Sequence, residues 1–211
     1  MYLISSKRLA IYNQQNGQIQ YKEIPFNYSR LNCILSLGKD TIGIGTSNGI
    51  ILFFAQNNQF RNVEMHFNVM RIFEDSHNEL WLFSKEQRGI VRYDPLTNEQ
   101  QHYETPTQNM PKAELRSRDV IFEDNQGTLW VVPHLGCLSY YDREDKELKP
   151  YYTDYSKPES KFTPVILNFY VDNQKNFWYA NNFWMDKISF FPNASQLTTF
   201  DSGHETRAIM V

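Results

Sequence analysis

The side chains with the widest range of chemistry in this sequence are five histidines and three groups of acids. The histidines are His66, His77, His102, His134 and His204; the acids are Glu74-Asp75, Glu123-Asp124, and Asp142, Glu144 and Asp145. The histidines have neither the i, i+4 spacing nor the short Cys/His cluster of a metal site, so no metal is expected. Paired carboxylates serve general acid–base work when held at a defined gap. The first two pairs, however, recur with the chain's own repeat, and a residue repeated in every unit serves the unit, whereas an active site breaks the repeat. The sequence contains no G-x-S-x-G, no Gly-rich phosphate loop and no H-E-x-x-H. No catalytic residues and no cofactor are expected.

Residues that break the repeat are better ligand candidates. Phe183 and Trp184 follow Asn181-Asn182, and Tyr151, Tyr152 and Tyr155 precede a Pro-containing linker. Flat aromatic faces beside amides suit sugar rings, whose C–H faces are apolar and whose hydroxyls need paired donors and acceptors. Packing against another domain or subunit is the equal alternative. Lys85, Arg88 and His134 join this group because they fall in connections between strands. The candidate ligand-binding residues are therefore Lys85, Arg88, His134, Tyr155, Asn181, Asn182, Phe183 and Trp184.

These residues are positioned by an internal repeat. Phe73 opens FEDSHNELWLFSKEQRGIVRYD, Phe122 opens FEDNQGTLWVVPHLGCLSYYD, and Tyr170 opens YVDNQKNFWYANNFWMDKISFF. The shared aspartates Asp75, Asp124 and Asp172, and tryptophans Trp81, Trp130 and Trp178, both recur at 49 and 48 residues. A weaker copy starting at Asp40 aligns Gly43 with the tryptophans and Gly49 with Gly89 and Gly136, and the N-terminal MYLISSKRLAIYN aligns Tyr2 there. HETRAIMV, at 204–211, resembles the strand that precedes each Asp. Approximate repeats are 1–30, 31–67, 68–115, 116–164 and 165–204, with 205–211 as the first strand of a further or shared unit.

Within a repeat, short β-branched and aromatic runs at 69–73, 80–84, 89–93 and 100–103 alternate with turn clusters such as DSHNE and DPLTNE. Prolines and the lack of 3.6-residue periodicity leave little room for helices, so helix content should be close to nil. Four-stranded antiparallel units at this period predict an all-β chain folded as a β-propeller of about four to five blades, or an arc of a larger one. The loops at 46–49, 84–88, 133–136 and 181–187, with the linkers 104–116 and 153–163, would share one face. That face is the candidate binding surface.

Composition closes off other classes. Forty-one per cent hydrophobic and 21% charged residues fit a globular chain, and a formal charge of −3 lacks the electrostatic footprint of nucleic-acid or anionic-membrane binding. The longest apolar run, Ile50–Ala55, is far short of the ~20 residues a spanning helix needs. The opening MYLISSKR is not a secretory signal, since its apolar residues precede the first cation. Cys33 and Cys137 each sit in an apolar run and read as core thiols.

The motif D-x-x-G-x-L-W-[VLI]-x-[TS], followed by G-[IL]-x-x-[YF]-[DN], resembles the regulator-propeller repeat of bacterial hybrid two-component sensors. The likeness covers nearly the whole chain and is clearest in DNQGTLWVVPHLGCLSYYD and ELWLFSKEQRGIVRYDPLTNEQQHY. Departures are Gly43 for Trp, Pro133 and Ala180 for Thr or Ser, and Lys187 for Gly. The resemblance implies a periplasmic, non-catalytic, oligosaccharide-sensing region, whose partners are the other domains of the same sensor or a second copy. A propeller lyase or glycan hydrolase, and a protein-docking scaffold, are the alternatives. Because propellers of that family usually carry about seven blades, the resemblance also favours an arc of a seven-bladed propeller over a closed ring in which Thr206–Met210 would pair with Tyr2–Ser5.

Overall fold

The computed structural model describes residues 1–38, 40–84, 89–104, 120–132, 138–151, 168–180, 184–191 and 194–201. They form five antiparallel sheets in sequence order, with no helix among them. The first has three strands, β1 (Tyr2–Ser5), β2 (Arg8–Tyr12) and β3 (Ile19–Glu23). The second holds β4 (Leu31–Leu37), β5 (Thr41–Thr46), β6 (Gly49–Phe54) and β7 (Gln59–Glu64); the third β8 (Arg71–Glu74), β9 (Leu80–Phe83), β10 (Ile90–Tyr93) and β11 (Gln100–Tyr103). The fourth holds β12 (Val120–Glu123), β13 (Leu129–Val132), β14 (Ser139–Asp142) and β15 (Glu147–Pro150); the fifth β16 (Asn168–Val171), β17 (Phe177–Ala180), β18 (Trp184–Phe191) and β19 (Ala194–Asp201). Two compact units divide the chain: Met1–Gln87 with Val91–Gln100, and Arg88–Ile90 with Gln101–Val211.

Local chemistry sets the hairpins. In the turn between the first and second strand of sheets three, four and five, the aspartate N–H donates to the carbonyl four residues on, at 3.0–3.1 Å (Asp75 to Glu79, Asp124 to Thr128, Asp172 to Asn176). The residue three past each Asp has positive φ: Asn78 at 61°, Gly127 at 77° and Lys175 at 63°. Only one of these is glycine, so the turn is fixed more by the aspartate's bonds than by the glycine the motif advertises.

In the first unit, β2 of sheet one and β5 and β6 of sheet two enclose a core of Leu9, Ile24, Ile42, Ile44, Ile51 and Phe53. The opposite face of sheet two packs Leu37, Ile50 and Leu52 against Ile72, Leu80, Leu82, Val91 and Tyr93. Strand β5, TIGIGT, serves both cores by alternation: its isoleucines face one way and its glycines the other. At Gly45 a Cβ would lie 2.5 Å from the Cys33 sulfur and 2.7 Å from the Val69 carbonyl oxygen, so the missing side chain is what admits the neighbouring chain. Cys33 is a free thiol packed in this core, and burial raises its pKa. Within the second unit, Val120, Phe122, Trp130 and Val132 pack on Phe177 and Tyr179, with the Phe122 and Phe177 rings stacked at 4.9 Å.

One expectation changes. The chain does not loop through 184–187: β18 begins at Trp184, and Trp178, Tyr179 and Ala180 pair with Lys187, Asp186 and Met185. The run WMDKISFF carries enough β-forming residues to extend the strand toward Ala180. Trp178 is half-buried, whereas Trp81 is 0% and Trp130 6% exposed. Cys137, Gly136 and 204–211 lie outside the described residues, and with them the pairing of Thr206–Met210 with Tyr2–Ser5.

Candidate functional site

The repeating acids are engaged by the fold. Trp81, Trp130 and Trp178 occupy the same place, the second residue of β9, β13 and β17. Each indole Nε1–H donates to the aspartate six residues back: Trp81 to Asp75 at 2.9 Å, Trp130 to Asp124 at 2.8 Å, and Trp178 to Asp172 at 3.0 Å. The other carboxylate oxygen accepts two turn N–H groups, from His77 and Glu79 in the first case, Gln126 and Thr128 in the second, and Gln174 and Asn176 in the third. Each carboxylate thus closes its turn and anchors a large indole in one step. The period gave away both residues; nothing in it showed that they bond.

Sheet two replaces this pair. Gly43 stands where the other sheets have Trp, and Leu37, six residues back, stands where they have Asp. A Cβ on Gly43 would lie 2.9 Å from Leu37 Cδ1, so the leucine fills the space the indole takes elsewhere. Polar pair and apolar pair are exchanged together, so neither an indole N–H nor a carboxylate is left without the other.

Among the predicted ligand residues, Lys85, Arg88, His134, Tyr155, Asn181, Asn182 and Phe183 lie outside the described residues, and Trp184 is placed only as the first residue of β18. Their grouping therefore lies outside the described residues. Lys187, where the motif expects Gly, sets its ammonium 5.2 Å from the centre of the Trp178 ring, a cation–π contact that offsets the lost glycine.

The described part of the candidate surface is the loop end of sheet two, in the first unit. The Ser47 N–H donates to the Arg30 carbonyl at 3.0 Å, the Val69 N–H to the Thr46 carbonyl at 2.9 Å, and the Met65 N–H to the Asn48 carbonyl at 3.1 Å, tying three connections together. Asn32 sits where the register of β4 shifts against β5, at a bulge that re-aims its side chain. Its Nδ2 donates to Asn68 Oδ1 at 2.6 Å and to the Val69 carbonyl at 2.9 Å, leaving Asn32 Oδ1 a buried acceptor with no donor. Asn48 donates to Glu64 at 2.7 Å. Asn48 lies in the 46–49 loop already named as candidate surface, whereas Asn32 and Asn68 fall outside the candidate loops; the one available signal for Asn32 was an amide interrupting the apolar run of β4. No group of three metal-binding side chains occurs among the described residues.

Three turn aspartates are held below the usual carboxylate range. For Asp172 burial opposes ionisation, but the bonds from Trp178, Asn176 and Gln174 outweigh it. For Asp94 the Leu96 N–H is the main cause, and for Asp142 the Lys149 ammonium. A lowered folded pKa gives stability that is present above the unfolded value, about 3.9 for Asp, and is lost as pH falls through the folded one. Urea midpoints are therefore expected to hold from neutrality to about pH 5 and to drop below about pH 4. Asp172→Asn should flatten that acid limb; an unchanged limb would contradict the assignment.

No family model and no curated protein matches the sequence. Solved structures do. Virginiamycin B lyase from Staphylococcus aureus is similar at 14% identity and TM-score 0.60, over 92% of this chain and 62% of that one. The extracellular domain of a one component system, BT4673, from B. thetaiotaomicron is similar at 20% identity and TM-score 0.60, over 90% of this chain and 26% of that one. The extracellular domain of a hybrid two component system, BT3049, from the same organism follows at 19% identity and TM-score 0.55, over 93% and 27%. This chain spans less than two thirds of each of these. The shared fold is the β-propeller, built of four-stranded antiparallel blades.

Proposed function

We propose that the chain is the ligand-sensing propeller portion of an extracytoplasmic signalling protein, with an oligosaccharide as ligand and no catalytic step of its own. The observation that carries this reading is the engagement of the recurring carboxylates: Asp75, Asp124 and Asp172 each spend both oxygens on an indole and a turn. Binding then falls to the loops. At the loop end of sheet two, Ser47, Asn48 and Asn68 offer hydroxyl and amide groups suited to a hydroxyl-rich, uncharged ligand. Lys85, Arg88, His134, Tyr155, Asn181, Asn182, Phe183 and Trp184 are proposed as ligand residues on their sequence context alone. A net charge of −3 disfavours polyanions, including nucleic acid.

The same fold serves the extracellular domains of one component and hybrid two component systems, which supports sensing. In such a protein the ligand would shift the balance between two arrangements of the sensor. Other domains of the parent, or a second copy, would read that balance. A lyase reading draws on the likeness to virginiamycin B lyase, whose H270A variant is catalytically inactive.

Calorimetry against a panel of neutral oligosaccharides tests the proposal. At least one should bind, and Asn48→Ala with Asn68→Ala should weaken it about tenfold, the worth of one or two hydrogen bonds. Failure of every sugar would overturn the ligand class. Turnover that disappears on substitution of a single histidine would replace sensing with the lyase reading.

A further inference from the structure

The sequence holds two Asn–Gly pairs, Asn16-Gly17 and Asn48-Gly49, and both lie in the first unit. Each falls in a hairpin turn, the first between β2 and β3, the second between β5 and β6. An asparagine followed by glycine loses ammonia unaided, because no Cβ shields the glycine nitrogen from the asparagine side chain. The nitrogen bonds to Cγ and gives up its proton, the Cγ–Nδ2 bond breaks, and ammonia leaves with that proton. Water then opens the cyclic imide at one or other of its carbonyls, giving aspartate or isoaspartate. The reaction needs room, since the peptide plane between the two residues must turn to bring nitrogen onto carbon.

We propose that Asn16 is a site of spontaneous deamidation and that the fold holds Asn48 back from the same reaction. Asn16 is exposed, and nothing lies within 4 Å of where a Cβ on Gly17 would stand. The Gly17 nitrogen is tied by a turn bond to the Asn13 carbonyl at 2.9 Å. Asn16 Oδ1 accepts the Gln18 N–H at 3.0 Å, which polarises Cγ for attack and carries the charge that grows on that oxygen. Its Nδ2, the leaving group, donates to Gln18 Oε1 at 3.3 Å.

The surroundings of Asn48 are the reverse. Its Nδ2 donates to the Glu64 carboxylate at 2.7 Å, its N–H to Thr46 Oγ1 at 3.1 Å, and its carbonyl accepts the Met65 N–H at 3.1 Å. The Gly49 carbonyl accepts the Thr46 hydroxyl at 3.1 Å. The Val63 carbonyl oxygen and the Met65 nitrogen lie 2.2 and 2.9 Å from where a Cβ on Gly49 would stand, so the plane cannot turn until β6 parts from β7. The products differ too. At Asn16 a carboxylate joins an open turn and takes the formal charge from −3 to −4. At Asn48 it would face Glu64 across a former hydrogen bond, and the two like charges would push the connection apart.

Incubation of the full chain in warm, mildly alkaline buffer tests the proposal, with tryptic peptides Leu9–Lys22 and Asp40–Arg61 followed by tandem mass spectrometry. In the folded chain Asn16 should convert at least about tenfold faster than Asn48, which must first break a charge-assisted bond and a backbone bond. In urea, where neither turn persists, the two rates should converge. Isoaspartate should appear at position 16, because only the cyclic imide yields it, and Gly17→Ala should slow its appearance by crowding the nitrogen. Equal rates in the folded chain would overturn the protection of Asn48. An Asn16 that is inert in the folded chain and reactive in urea would overturn its assignment as the labile site. Aspartate alone at position 16, or a rate indifferent to Gly17→Ala, would overturn the route. None of these results depends on whether a sugar binds.

Discussion

Truncating Trp81 to alanine is expected to lower unfolding stability by about 3–5 kcal/mol, the cost of emptying a large, fully buried site. Trp81 is 0% exposed, and its removal also deprives Asp75, 4% exposed, of the indole donor. Asp75→Ala removes the acceptor instead. It leaves the buried indole N–H and the N–H groups of His77 and Glu79 unmatched, at about 1–3 kcal/mol for a buried group of this kind. Because one bond joins the two residues, the double variant should cost less than the sum of the singles. Trp178→Ala should cost less than Trp81→Ala, since that indole is only half-buried. Urea denaturation followed by circular dichroism reads all four variants. Strictly additive losses, or a larger loss at Trp178, would mean that the Asp–Trp bond does not hold the sheets as described.

The second large effect is expected at Gly49. Its φ of +129° lies in a region that L side chains rarely adopt, and a Cβ there would sit 2.2 Å from the Val63 carbonyl oxygen and 2.9 Å from the Met65 nitrogen. Both obstacles are backbone, so no rotamer change relieves them. Backbone strain and overpacking together put Gly49→Ala on the order of 3 kcal/mol or more. Gly17 separates the two contributions. It has positive φ, 73°, but nothing within 4 Å of a Cβ, so Gly17→Ala should cost only about 1 kcal/mol. Gly89, aligned with Gly49 in the sequence, meets the Tyr103 carbonyl oxygen at 2.1 Å and should behave like Gly49. Equal losses at Gly17 and Gly49 would show that close approach of β7 to the start of β6 is not what demands glycine.

Much of the fold was legible because its local rules are short-ranged. The 49- and 48-residue periods located Asp75, Asp124, Asp172 and their tryptophans, and period-2 runs located the strands of each repeat. Gly49 and Gly89 were matched by alignment alone, and both prove to be positions where a neighbouring strand's carbonyl excludes a side chain. The candidate site was less legible. Asn32, Asn48 and Asn68 are ordinary polar residues in sequence, and they matter only where a bulge and three chain connections meet. Trp184 was assigned to a loop because its neighbours Asn181-Asn182 look like a turn, whereas pairing with β19 extends the strand to it.

The all-β class, the repeat, the hairpin turns and the glycine positions are written in the residue order, because each depends on a few neighbouring residues and on hydrogen bonds that close within a turn. What those residues do to one another emerges in three dimensions. The indole of Trp81 reaches Asp75 because the hairpin folds back and sets the two side chains on the same side. Leu37 stands in for the acid at Gly43 because the volumes of the two must together fill the space an indole leaves. Volume, coverage and the meeting of distant loops are set by what lies across space, and no local pattern encodes them.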